Sequence, residues 1–105
     1  MVVVFDKTYL QELYQAGKTN DKRHRFQPDI IKRYQRCIDL MIVVPNADGL
    51  KQYRGLRFEA LKGDKAGLYS IRVNNQYRIE FQLSTLPEQT VMTICNIVEL
   101  SNHYE

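Results

Sequence analysis

At 105 residues, with 44% hydrophobic and 26% charged residues, the chain has the length and balance of one globular domain, 1–105, and not those of a disordered or fibrous protein. Its formal net charge of +3 favours a polyanionic partner where the cations gather on one face, and otherwise describes a solvated surface.

Val2 to Phe5 is a β-branched and aromatic run that suits a strand. Asp6 is expected to cap a helix over Lys7 to Ala16, its carboxylate accepting first-turn amides, with Phe5 and Leu10 spaced as a hydrophobic staple. Leu10, Leu13 and Tyr14 fall on one stripe of that helix, and Gly17 suits its left-handed end. Lys18 to Gln27 carries Lys18, Lys22, Arg23, His24 and Arg25 against Asp21 alone, and reads as an exposed, mobile connection. Pro28 opens a second helix in which Ile30, Ile31, Tyr34, Ile38 and Met41 recur at helical spacing. Pro45 to Gly49 has the residues of a turn, so that helix should end before it.

From there the period changes from helix to strand. Strands are predicted over Leu56 to Leu61, Leu68 to Val73, Tyr77 to Leu83 and Val91 to Glu99, joined by short loops and therefore antiparallel. The order β-α-α-β-β-β-β predicts an α+β fold, a twisted, mainly antiparallel sheet with two N-terminal helices packed on one face. Cys37 and Cys95 lie in apolar surroundings without a CxxC or Cys/His spacing, which points to two buried thiols and signals neither a metal site nor a disulfide framework. No cofactor is signalled. The opening apolar run is too short for a signal-peptide core and no later stretch could span a bilayer, so a cytoplasmic protein away from membranes is expected.

The central hairpin fixes its own register. A two-residue turn at Asn74 and Asn75 would set Ile71 against Arg78 and put an arginine on the apolar face; a three-residue loop or a bulge instead pairs Ile71 with Ile79 and Arg72 with Arg78. Two arginines directly opposite each other call for a counter-charge. A phosphate would serve, and so would Glu80 on the same face, as an ordinary ion network. Lys62 and Lys65 add cations in the Lys62 to Gly67 loop, which could equally be a plain turn. Of the two histidines, His103, beside Tyr104, is the better candidate for proton transfer.

The run from Leu61 through Lys62-Gly63-Asp64-Lys65-Ala66-Gly67, the strand Tyr69-Ser70-Ile71-Arg72, the turn Asn74-Asn75-Gln76 and the pair Tyr77-Arg78 resembles the signature of HigB toxins, a branch of the RelE/ParE toxins. The resemblance implies a metal-independent mRNA interferase of a type II toxin-antitoxin module, cutting mRNA in the ribosomal A site and silenced by a HigA-like helix-turn-helix antitoxin. It makes Arg78 the contact to the scissile phosphate, Arg72 a neighbouring basic position, and His103 and Tyr104 the terminal catalytic residues. Two departures stand out. Asn102-His103-Tyr104 reverses the aromatic and imidazole order of a relative that ends in aspartate-tyrosine-histidine, and Glu59 stands where that relative has a histidine. Glu59 is therefore a candidate base, with Lys62 and Lys65 as further phosphate contacts. The resemblance also leaves room for a gyrase-inhibiting toxin on the same fold, and the basic face for an inactive RNA- or ribosome-binding module.

Overall fold

The computed structural model describes residues 1–86 and 89–102, with side-chain detail for 1–85 and 93–102. In chain order the elements are β1 (Val2–Phe5), α1 (Thr8–Ala16), α2 (Pro28–Val43), α3 (Ala47–Lys51), β2 (Glu59–Ala60), β3 (Tyr69–Arg72), β4 (Tyr77–Leu86) and β5 (Gln89–Asn102), with 3-10 turns at Arg54–Leu56 and Gly63–Lys65. The strands form one sheet in the order β1-β5-β4-β3-β2, antiparallel except where β1 pairs in parallel with β5. α1 packs against β1 and β5, and α2 against α1 and β1. The two long helices thus share one face of a mainly antiparallel sheet, as the order of elements predicts.

The core lies between them. Tyr34 and Phe81 are its largest fully buried side chains, joined by Leu10, Leu13, Ile38, Met41, Ile71, Ile79 and Ile97. The Tyr34 hydroxyl donates to the Leu10 carbonyl at 2.8 Å, which keeps a polar atom satisfied where α1 and α2 meet. Gly17 ends α1 in the left-handed region at φ 72°, its amide donating to the Leu13 carbonyl at 3.1 Å.

Several local expectations are corrected. Asp6 does not cap α1: the capping position is Lys7, without a side-chain bond, because the Asp6 amide prolongs β1 by donating to the Ile97 carbonyl at 2.8 Å. The Pro45 to Gly49 turn runs into α3, with Asn46 Oδ1 accepting from the Asp48 amide at 3.0 Å. There a Cβ on Gly49 would stand 2.7 Å from the Val44 Cβ, so this return of the chain onto α2 requires glycine. The strand expected over Leu56 to Leu61 shrinks to Glu59–Ala60. Leu56 and Phe58 do pack on the core as the alternation implies, but Arg57 at φ 48° breaks the ladder between them. Finally, β4 and β5 run nearly to each other, through Leu86 and from Gln89, where a longer loop was expected.

The Cys37 and Cys95 thiols are free and buried. Burial pushes Cys37 up from 9.0 to about 11 and Cys95 to about 12; it pushes the Tyr9 phenol from 10.0 to about 12 and raises Tyr34 as well. The unfolded chain loses these protons first, so stability is whole below pH ~9 and falls as pH rises toward ~12. Between pH 8 and 10 the two thiols alone are expected to remove about 2–3 kcal/mol. Urea midpoints at those two pH values check this. The difference should shrink in a Cys37→Ala/Cys95→Ala double variant, and an unchanged difference would refute it.

Among the described residues, no helix is long and apolar enough to cross a membrane, and no three His, Cys, Asp or Glu side chains gather as a metal site.

Candidate active site

Directly opposed residues in an antiparallel sheet point to the same face, so the register assembles two polar rows on the side away from the helices. One runs Glu59, Ser70, Glu80, Glu99 across β2, β3, β4 and β5; the next runs Arg72, Arg78, Ser101 across β3, β4 and β5. The hairpin register is the one the alternation demands, with Ile71 opposite Ile79 and Arg72 opposite Arg78. A bulge after Glu80 leaves Val98 without an opposite number, which lets Glu99 and Ser101 share the polar face while Ile97 and Leu100 stay in the core.

Arg78 is the centre of the face, although it is only 8% exposed. Its Nε donates to Ser70 Oγ at 2.9 Å and its Nη2 to the Arg57 carbonyl at 2.8 Å, while the same Nη2 lies 3.2 Å from Glu59 Oε1. A left-handed non-glycine residue such as Arg57 carries strain of about 1 kcal/mol or more. Here it marks the turn that delivers the carbonyl to Arg78. Glu59 remains half exposed beside its partner.

Glu80 behaves otherwise than expected. It is buried, and it pairs with neither arginine: Lys65 Nζ lies 2.7 Å and Ser101 Oγ 2.9 Å from its Oε2. The counter-charge of Arg78 is therefore Glu59. Lys65 is half exposed in its ion pair, Lys62 stands exposed at the start of the 3-10 turn, and Arg72 donates its Nε to the Asn74 carbonyl at 3.1 Å.

Beside these rows a cleft of about 480 Å³ opens, lined by Arg23, Arg25, Lys65, Glu99, Ser101 and Asn102 among others. His24 also lines it, partly buried within a connection that is otherwise mostly exposed. Its ring stacks on Tyr9 with centroids 3.6 Å apart and 5° between planes, and its Nδ1 lies 3.0 Å from Asp21 Oδ2, close but not aligned as a hydrogen bond. The Arg23 amide, then His24, holds the Asp21 carboxyl below its ordinary value. Tyr9 in turn accepts the Leu100 amide at 3.3 Å, tying the basic segment to β5.

Glu59, Lys65, Arg72 and Arg78 are thus on or beside one face, with Lys62 in the adjoining turn. His103 and Tyr104 lie outside the described residues. Sequence reasoning missed Ser70, Ser101 and the Arg57 carbonyl, the groups that hold Arg78 and Glu80. Polar residues alternating with a strand's apolar face carry no mark of their own burial.

Residues 3–94 match the HigB-like toxins, described as the RelE-like toxin of the type II toxin-antitoxin system HigB. The chain belongs to the HigB-like toxin family. It is 36% identical to Toxin HigB-1 of Vibrio cholerae serotype O1 over 83 residues, which cover 78% of this chain and 83% of that protein. Its fold is similar to that of a YoeB/ParE toxin from Agrobacterium tumefaciens, with a TM-score of 0.57 and 17% identity over 99% of this chain and 100% of the other. A YafQ variant from E. coli is similar at a TM-score of 0.60 and 12% identity, covering 97% of this chain and 92% of that one. A YoeB-YefM complex from Staphylococcus aureus gives 0.51 and 15%, covering 99% and 98%. At these identities the likeness is one of fold, the RelE-like arrangement of helices and sheet. The signature from Leu61 to Phe81 lies inside the matched residues and His103 and Tyr104 lie beyond them. As the toxin of a HigB-like type II module, the protein has an antitoxin as its counterpart.

Proposed function

We propose that this HigB-like toxin is a ribosome-dependent mRNA interferase, a metal-independent endoribonuclease acting in the cytoplasm as a single domain over residues 1–105. The observation that carries this reading is the gathering of Glu59, Lys65, Arg72 and Arg78 on one sheet face beside a basic cleft. Such a face offers a carboxylate for a proton and several cations for a phosphate. Asn102, the residue before His103 in the sequence, lines that cleft.

In this reading the RNA 2′-hydroxyl oxygen attacks the adjacent phosphorus and the bond from phosphorus to the 5′-oxygen breaks. His103 or Glu59 takes the 2′-hydroxyl proton, and Tyr104 or His103 gives one to the departing 5′-oxygen. The products are a 2′,3′-cyclic phosphate and a 5′-hydroxyl. Arg72 and Arg78, with Lys62 and Lys65, stabilise the charge that builds on the phosphorane. Arg78 Nη1 has no partner among the described residues, and it is the nitrogen open to that task. The counterpart is a HigA-like helix-turn-helix antitoxin, and the substrate is mRNA in the ribosomal A site.

End-labelled mRNA, naked with EDTA and ribosome-bound in ordinary ribosome buffer, tests this with antitoxin-free, folded protein. Ends carrying a cyclic phosphate are expected on ribosomes. Intact RNA in both arms would defeat the nuclease reading and bring forward gyrase inhibition or simple RNA binding.

A further inference from the structure

At the tip of the β3–β4 hairpin a second cleft, of about 610 Å³, is bounded by Arg72, Asn74, Asn75 and Gln76 on one side and by Asp29 and Arg33 of α2 on the other. Its size is that of a small-ligand site. The two guanidiniums come from different elements, and neither has an ion pair among the described residues. Arg72 is nevertheless oriented: its Nε donates to the Asn74 carbonyl, and among the described residues its two terminal nitrogens have no hydrogen-bond partner. Asn74 itself is spent on the turn, its Oδ1 accepting from the Gln76 and Tyr77 amides at 2.9 and 2.7 Å. Asn75 and Gln76 are exposed at the rim.

Arg78 offers a contrast. It is buried and neutralised by Glu59, and Lys65 is engaged by Glu80. The two cations that line this cleft, Arg72 and Arg33, thus carry no ion pair among the described residues. Two guanidiniums lining one cleft, neither in an ion pair, favour an anion that bridges them. Asp29 lines the same cleft one helical turn before Arg33 but makes no ion pair with it within the described residues. A carboxylate and two amides beside two guanidiniums can accept from and donate to a base edge while the arginines hold a phosphate. An acidic peptide would set its carboxylates against that of Asp29, which a base edge does not.

We infer that this cleft is a nucleotide subsite, in which Arg33 and Arg72 clamp a phosphodiester of the RNA strand and Asp29, Asn75 and Gln76 meet its base. The inference rests on the proposed ribonuclease reading for the identity of the strand, and binding to an uncleavable strand separates the two. Affinity for a short 2′-O-methylated oligoribonucleotide is measured against salt concentration. Arg33→Gln and Arg72→Gln are each expected to weaken binding about tenfold at low salt and to flatten the log–log salt slope by about 0.7 per lost phosphate contact. Lys32→Gln, which removes the neighbouring charge on α2 outside the cleft, should leave both unchanged. Arg33 is exposed on its helix, so its variant reports on binding even if Arg72→Gln loosens the hairpin. Parent-like affinity and slope in Arg33→Gln, or no salt-dependent binding by the parent, would overturn the subsite. So would a loss confined to polyglutamate binding, which would assign the cleft to an acidic protein segment. Retained binding losses in a protein that cuts no RNA would leave the subsite standing and remove only the nuclease.

Discussion

Arg78→Ala is expected to lower the melting temperature by roughly 10–20 °C, equivalent to about 3 kcal/mol for a domain of this size. The substitution leaves the fully buried Ser70 hydroxyl and the Arg57 carbonyl without their donor and strips Glu59 of its partner. Glu59 is half exposed, so water screens its share, and Glu59→Gln should cost under ~1 kcal/mol. Most of the loss in Arg78→Ala therefore belongs to the neutral acceptors and not to the ion pair. A melting temperature within ~3 °C of the parent would show that the guanidinium is not the anchor its contacts describe. The same variant, assayed where it is still folded, should cut ribosome-bound mRNA about 10²-fold more slowly if Nη1 meets the phosphorane. Arg78→Lys keeps the charge but not the planar fork. It should recover less stability than activity if charge at the phosphate is what matters.

The distribution of burial explains what the sequence makes legible. Alternation is a strong signal when one face is apolar, and it fixes Ile71 opposite Ile79 and with them the three-residue loop. The helical stripe of α2 and the left-handed Gly17 are equally local signals, and both hold. The polar face is different. Ser70, Arg78 and Glu80 alternate with core residues as solvent-facing side chains would, yet all three are buried. What buries and satisfies them is brought from elsewhere in the chain: the Arg57 carbonyl, Glu59, Lys65 and Ser101. No pattern within one strand encodes those partners. The segment before β2 misleads for a related reason, since Leu56 and Phe58 keep a strand's alternation across a left-handed Arg57 that ends the pairing. The candidate site is thus readable as a set of residue types, while the choice of partner, Glu59 for Arg78 and Lys65 for Glu80, belongs to tertiary structure.

Replacing the single 2′-hydroxyl on the 5′ side of the cut by hydrogen is expected to abolish cleavage at that bond. In the proposed reaction the nucleophile is then missing, and attack by water or by a side-chain oxygen in its place could not leave a 2′,3′-cyclic phosphate. The prediction separates two demands on the same protein. Binding draws on phosphates and bases, which the Arg33–Arg72 cleft would hold whether or not the hydroxyl is present, so affinity for the singly deoxy strand should stay within about twofold of the parent RNA. The proposed chemistry draws on the hydroxyl. A strand that binds as before and is not cut identifies the 2′-oxygen as the attacking atom. Cleavage at the deoxy position would instead require water or a side-chain oxygen as nucleophile and would leave no cyclic phosphate, and the assignment of Glu59 or His103 as the base for a ribose hydroxyl would fall with it. His103→Ala supplies the complementary measurement: on all-ribose mRNA it should slow the cut by roughly 10²–10⁴-fold while leaving binding to the uncleavable strand in place. A loss of that size in His103→Ala with little change in Glu59→Gln would make the imidazole, and not the carboxylate, the principal proton carrier. The reverse pattern would give that task to the carboxylate that Arg78 holds at the face.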